Sequence, residues 1–233
     1  MKVDALFISD VHLGSKGCDA EKLLQVLKLY EPKKLFIVGD FIDGWLLKKR
    51  YYWKQEYTNL IRKILSYSKN GTEVIYITGN HDEFLRAYVP MDMGNIKIVD
   101  EYEYDGYLIT HGDLYDGIVQ LKWLGILGSY GYELAIKIDR TLKRFGYKKS
   151  FSKMVKDKVK SAVKFITDFE KQLGYQAHIR GLRGVICGHI HNPEDKKISV
   201  KETDIHYLNC GDWIENYSYI VHTNNEFILS KHL

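Results

Sequence analysis

Short apolar runs alternate with amphipathic stretches through the first third of the chain. Residues 3–9 are mostly apolar and predict a first strand. Leu23, Leu24, Leu27 and Tyr30 recur at helical spacing over residues 20–30. Residues 35–38 are too short and too apolar for a helix and predict a second strand. Leu60, Ile61, Ile64 and Leu65 share one face of a helix over residues 53–68, and residues 74–77 predict a third buried strand. The order β-α-β-α-β predicts a largely parallel sheet.

The texture then changes. Residues 96–110 predict two short strands around Asp105-Gly106, a hairpin signal. Residues 184–187 predict another strand. Residues 197–230 alternate apolar and polar positions, with Asn224-Asn225 as a turn, and predict a small antiparallel sheet. The whole reads as an α/β fold, a two-sheet sandwich with helices outside.

Residues 114–181 interrupt this pattern and carry no strand signal. Phe151, Met154, Val155, Val159, Ala162, Val163, Ile166, Phe169 and Leu173 recur at three- and four-residue steps, predicting one amphipathic helix. Lys153, Lys156, Lys160, Lys164 and Lys171 occupy its other faces, and an apolar stretch containing Trp123, Leu127 and Tyr130 precedes it. The 233 residues therefore read as one domain, 1–233, with an insertion at 114–181.

Charge sharpens the picture of the insertion. It holds fourteen Lys and Arg against six Asp and Glu, while the chain as a whole is only +4. A basic segment in an otherwise acidic chain points to an anionic partner: a phosphate, a nucleic acid or a membrane surface. No apolar stretch reaches the length of a membrane span, and the N-terminus has no secretory pattern, so a cytoplasmic protein is expected. Cys18, Cys187 and Cys210 lack metal or redox spacing and read as buried or incidental thiols.

Five polar clusters carry the chemistry: Asp10-Val11-His12, Gly39-Asp40-Phe41-Ile42-Asp43, Gly79-Asn80-His81-Asp82, His111-Gly112-Asp113 and Gly188-His189-Ile190-His191. Four of them follow directly on an apolar run, where a strand ends and open α/β sheets place their sites. Carboxylates and imidazoles at such ends suit two divalent metals sharing one carboxylate. Asp10 and His12, two residues apart, share a face if the extended backbone continues. Asp40 can bridge two cations or cap the next helix. Asn80 offers a neutral oxygen, or is a turn residue. His81 could protonate a leaving oxygen, with Asp43 placed to orient it. His111 alone is a weak signal, whereas His189 and His191 resemble a metal-binding turn. Asn209-Cys210-Gly211-Asp212-Trp213 follows a strand and either lines the site or forms a plain turn.

The order and wording of these clusters resemble the calcineurin-like metallophosphoesterase superfamily, over residues 3 to about 215. The resemblance implies a four-layer αββα sandwich. It implies one metal on Asp10, His12, Asp40 and His191, and a second on Asp40, Asn80, His111 and His189. It further implies in-line attack on phosphorus by hydroxide shared between the metals, with His81 protonating the departing oxygen and Asp43 orienting His81. A nitrogen and oxygen donor set favours Mn²⁺, Fe²⁺ or Zn²⁺ over Ca²⁺, and the resemblance favours Mn²⁺.

Within the superfamily the chain is most similar to the UDP-2,3-diacylglucosamine diphosphatases of lipid A synthesis and their paralogues. Residues 7–14 and 39–43, the helical insertion and Gly188-His189-Ile190-His191 carry that similarity. It implies a helical lid, with Lys156, Lys160 and Lys164 contacting substrate phosphate. It also implies a lipid-linked nucleotide substrate and peripheral contact with the inner face of the plasma membrane. No obligate protein partner is implied, and nucleic acid is disfavoured because the basic charge sits in one insertion. One departure matters: where the best-known branch has Arg after the metal-binding Asn, this chain has His81. The alternative is therefore a soluble phosphodiesterase of nucleotide or nucleic-acid esters using the same metals. A non-catalytic scaffold would be expected to have lost ligands, and none is missing.

Overall fold

The computed structural model describes residues 1–116 and 151–232, with side chains for 1–116 and 165–232. The chain divides into a larger unit, Met1–Gly112 with Leu173–Leu233, and a smaller one, Asp113–Gln172.

The larger unit is built on two sheets. The first has seven strands in the order β12-β11-β1-β2-β3-β5-β4. These are β1 (Lys2–Ile8), β2 (Glu31–Val38), β3 (Glu73–Ile77), β4 (Met91–Met93), β5 (Ile96–Val99), β11 (Ser218–Thr223) and β12 (Glu226–Lys231). β1, β2, β3 and β5 run parallel, while β11 joins β1 antiparallel. The second sheet has the order β6-β7-β8-β10-β9. Its strands are β6 (Glu101–Tyr104), β7 (Tyr107–Thr110), β8 (Gly184–Cys187), β9 (Glu194–Val200) and β10 (Thr203–Asn209). β7, β8 and β10 are parallel neighbours.

Strand alternation divides the apolar residues between two cores. Ala5, Phe7, Phe36, Val38, Ile75 and Ile77 of the first sheet meet Ile109, Ile186 and Leu208 of the second. Phe7 and Phe36 are register partners and stack at 4.6 Å. The intervening residues, Leu6, Ile8, Leu35, Ile37, Val74 and Tyr76, face the opposite way. There they pack with Leu23, Val26 and Leu27 of α1 (Ala20–Leu29) and Tyr57, Leu60 and Ile64 of α3 (Gln55–Lys69). Runs such as residues 35–38 are apolar on both faces because both are covered. On the outer side of the second sheet, Ala177 packs with Val200 and Ile205. Ala177 belongs to α4 (Phe151–Ile179). The layers are helix, sheet, sheet, helix.

The hairpin at Asp105-Gly106 and the turn at Asn224-Asn225 form as expected. The small antiparallel sheet over 197–230 does not. β9 and β10 belong to the second sheet, and β11 and β12 to the first. Alternation reports that one face of a strand is buried; it does not name the neighbouring strand. Residues 96–110 likewise straddle both sheets, since β5 lies in the first and β6 in the second.

The smaller unit contains a short 3-10 turn, Asp113–Tyr115, and most of α4. The helix expected from residue 151 is present and continues to Ile179. The side chains of Lys156, Lys160 and Lys164, and the apolar stretch at 123–132, lie outside the described residues. Among the described residues, no helix is long and apolar enough to cross a membrane.

Candidate metal centre

The loops after β1, β2, β3, β7, β8 and β10 bring the polar clusters together. They are laced by backbone bonds: Asp10 N–H donates to Gly39 O, His12 N–H to Asp40 O, Gly188 N–H to His111 O, and Trp213 N–H to Asp10 O.

Asp10 and His12 do not reach each other by extended backbone, as their i, i+2 spacing suggested. Asp10, His12, Asp40, His189 and His191 all have φ between 51° and 71°. Such left-handed residues cost on the order of 1 kcal/mol or more each and cluster at functional sites. The curled loops still converge. His12 Nε2 lies 3.8 Å from Asp10 Oδ1 and 3.3 Å from His191 Nε2. His191 Nε2 lies 3.1 Å from Asp10 Oδ1.

Asp40 is the hub. Its Oδ2 lies 3.3 Å from His111 Nε2, 3.9 Å from His12 Nε2 and 4.0 Å from His81 Nε2. Its Oδ1 accepts the His81 backbone N–H at 2.8 Å. Asp40 does not cap the following helix. Asp43 does, its Oδ1 accepting Leu46 N–H at 2.8 Å at the start of α2 (Gly44–Lys49). The Asp43 carboxylate also faces His12 Nδ1 at 3.5 Å and His81 Nδ1 at 3.0 Å. The His81 contact is off the line of a hydrogen bond, and that nitrogen has no other partner.

Hydrogen bonds preset the imidazoles. His111 Nδ1 donates to the Val38 carbonyl at 2.9 Å, so Nε2 is the ring nitrogen that faces Asp40 and Asn80 Oδ1, the latter at 3.3 Å. The His189 ring lies 5.2 Å from that of His111, and its backbone N–H donates to Asp10 Oδ2 at 3.0 Å. The His189 ring stands outside the tightest groupings, which are Asp10–His12–His191, Asp10–Asp40–His111 and His12–Asp43–His81.

These residues fit a pair of divalent cations. Asp10 Oδ1 is buried and accepts no hydrogen bond, although it points among the imidazoles. Carboxylate oxygens and ring nitrogens crowded at 3.1–3.9 Å need a positive charge between them. In the metal-free protein, protons supply that charge. Burial alone would raise the Asp10 carboxyl, yet the imidazoles of His12 and His191 hold it well below the usual range. Burial would lower His12, yet the Asp10 and Asp43 carboxylates raise it to about 10.

The sequence did not single out three contributors. Asp82 is buried and ties two loops together, its Oδ2 accepting from Phe41 N–H at 2.9 Å and the Tyr76 hydroxyl at 2.6 Å. Asp212 lies 3.9 Å from His191 Nδ1 and accepts the backbone N–H groups of Ile214 and Glu215, so the segment after β10 does line the site. Trp45 packs its indole against His81 at 4.3 Å. Asp82 and Asp212 stood in clusters already noted. Trp45 lies on α2, a helix too short to give a periodic signal.

The calcineurin-like phosphoesterase family model matches residues 4–193. A UDP-2,3-diacylglucosamine hydrolase of Aeromonas salmonicida is 24% identical over 241 positions, covering 94% of this chain and 89% of that protein. Another, from Porphyromonas gingivalis, is 29% identical over 102 positions, covering 40% of this chain and 38% of that protein. Among solved structures, YfcE, a phosphoesterase from E. coli, aligns with a TM-score of 0.45 and 14% identity, covering 96% of this chain and 90% of that one.

Proposed function

Since the chain belongs to the calcineurin-like phosphoesterase family, whose members use divalent metals, we propose that its buried polar cluster is the active site of a two-metal phosphoesterase. The observation that carries this is the placement of Asp40 Oδ2 within 4.0 Å of three imidazole nitrogens, beside a buried Asp10 oxygen with no hydrogen bond. One metal would be held by Asp10, His12, Asp40 and His191. The other would be held by Asp40, Asn80, His111 and His189. When bound, the pair supplies charge neutralisation at the phosphoryl oxygens and hydroxide at neutral pH. Mn²⁺ is the expected metal.

The protein's own groups do the rest. His81 Nε2 faces the hub and holds the proton for the departing oxygen. Asp43 spans His12 and His81 and keeps both rings turned inward. Asp43 is itself held well below the usual carboxylate range. Burial opposes this, and the two imidazoles and the Leu46 N–H outweigh it.

The substrate reading follows the relatives. The proposed reaction splits the pyrophosphate of UDP-2,3-diacylglucosamine, or a similar lipid-linked nucleotide, into UMP and a lipid phosphate. The relatives' names and the basic, apolar insertion at 114–181 support it. Lys156, Lys160 and Lys164 are the proposed phosphate contacts, and the insertion the proposed lid and peripheral membrane contact at the cytoplasmic face. His81 favours a second reading, a soluble phosphodiesterase, because it stands where the best-known lipid A branch has Arg.

The test is UMP release from UDP-2,3-diacylglucosamine in mild detergent by Mn²⁺-loaded protein, beside bis-p-nitrophenyl phosphate and with His81→Ala as control. Fast release that His81→Ala abolishes supports the lipid-nucleotide reading. Turnover of the generic ester alone retains the metal chemistry and discards that substrate.

A further inference from the structure

α2 is an unusual element, a six-residue helix with no buried residue. Core packing does not account for its tryptophan, since Trp45 is 39% exposed. What Trp45 does touch is His81: the two ring centroids lie 4.3 Å apart with planes inclined at 36°. The His12 ring meets His81 edge-on at 4.6 Å.

The His81 backbone is fixed from both sides. Its N–H donates to Asp40 Oδ1 at 2.8 Å, and its carbonyl accepts Gly44 N–H at 2.9 Å. Its ring torsions are not fixed by hydrogen bonds. The Nδ1 contact to Asp43 lies off hydrogen-bond geometry. Ring orientation therefore rests on the Asp43 carboxylate facing one ring edge and on packing against the ring face, where Trp45 supplies the broad surface. The helix that carries Trp45 is tied to the same loop, because Asp43 caps it and Gly44 bonds His81. A β-carbon on Gly44 would press on the His81 carbonyl and the Phe84 ring, so the approach is already close.

We propose that Trp45 is a positioning residue for His81, its indole holding the imidazole with Nε2 turned toward the departing oxygen of the substrate ester. This rests on His81 acting as the general acid described above. Trp45 acts through His81 and matters in proportion to how much the leaving group needs a proton. An alkoxide needs that proton; p-nitrophenolate leaves well without it.

The test compares Mn²⁺-loaded wild type, Trp45→Ala and Trp45→Phe on 2′,3′-cyclic AMP, whose leaving group is a ribose alkoxide, and on bis-p-nitrophenyl phosphate. General acids contribute roughly 10²–10⁴-fold. Losing ring alignment should therefore lower kcat of Trp45→Ala on the cyclic nucleotide by about tenfold or more, against less than about threefold on the p-nitrophenyl ester. Trp45→Phe, which keeps an aromatic face, should recover most of the loss. In a His81→Ala background, Trp45→Ala should add nothing further. Independently of turnover, the His81 ring protons should lose the indole ring-current shift in NMR spectra of metal-free Trp45→Ala.

Equal losses on both esters, additive losses with His81→Ala, or a rise in KM with kcat intact would each overturn the proposal. The last would make Trp45 a substrate-binding surface. A wild type that cleaves only the p-nitrophenyl ester would also overturn it, because it would turn over no leaving group that needs the His81 proton. A wild type inactive on both esters would instead remove the phosphoesterase reading on which the proposal stands.

Discussion

At the scale of single residues, the centre is shaped as much by what is missing as by its polar side chains. A β-carbon at Gly188 would collide with Ser9 Oγ and Asp10 Oδ2, and one at Gly79 with Asp40 Oδ1. These glycines let the loop after β8 and the loop after β3 close on the two carboxylates. Gly188→Ala should therefore weaken Mn²⁺ binding by at least about tenfold, roughly 1.4 kcal/mol, read by calorimetry on a protein that still unfolds cooperatively. Proton linkage gives a second prediction. Neighbouring carboxylates raise the pKa of His12 to about 10, so if His12 holds a metal as proposed, binding must displace its proton. Mn²⁺ affinity should rise between pH 6.5 and 8.5, by up to about tenfold per unit for one displaced proton, with proton release in titrations in buffers of different ionisation heat. The sign for stability is opposite. In the metal-free protein the His12⁺ contribution is complete below 6.5 and is lost as pH rises through about 10. An affinity that falls as pH rises would remove His12 from the ligand set.

At the scale of elements, the strand ends are held in register by loop-to-loop bonds rather than by the sheet alone. Asp82, just beyond β3, accepts the Phe41 N–H beyond β2 and the Tyr76 hydroxyl within β3. Burial and the nearby Asp40 charge raise its pKa despite the Tyr76 hydroxyl and the Gly79 N–H. Removing one donor with Tyr76→Phe should cost about 1 kcal/mol. Asp82→Ala, which leaves buried N–H groups without an acceptor, should cost about 2–3 kcal/mol or more and impair metal binding. Denaturant melts with Mn²⁺ titrations on the same samples check both. If Asp82→Ala leaves metal binding untouched, the two loops do not depend on this bond for their spacing. Much of this level could be read in the chain. The helices at 20–30 and 53–68 and the strands before each cluster follow from periodicity, and the two turns from their Asp-Gly and Asn-Asn residues. α2 could not, because six residues make less than two turns.

At the scale of the whole molecule, the sandwich core is the foundation on which the six loops stand. Phe36 is fully buried between the sheets and stacks on Phe7. Phe36→Ala should cost about 3–5 kcal/mol, read by denaturant unfolding. Glu73→Gln, at the partly exposed pairs with Lys34 and Lys97, should cost no more than about 1 kcal/mol. Comparable values would mean that the inter-sheet core does not dominate stability. The sequence by itself determined the alternation of strands and helices, the five polar clusters and the residue types able to bind metal. Those are local properties of spacing, propensity and donor chemistry. Tertiary structure alone decided that β9–β12 divide between two sheets, that Asp43 rather than Asp40 caps α2, and that Asp10 and His12 meet through left-handed backbone. It also placed Trp45 against His81. Each depends on which distant segments become neighbours, and a strand's pattern records that a face is covered without recording by what.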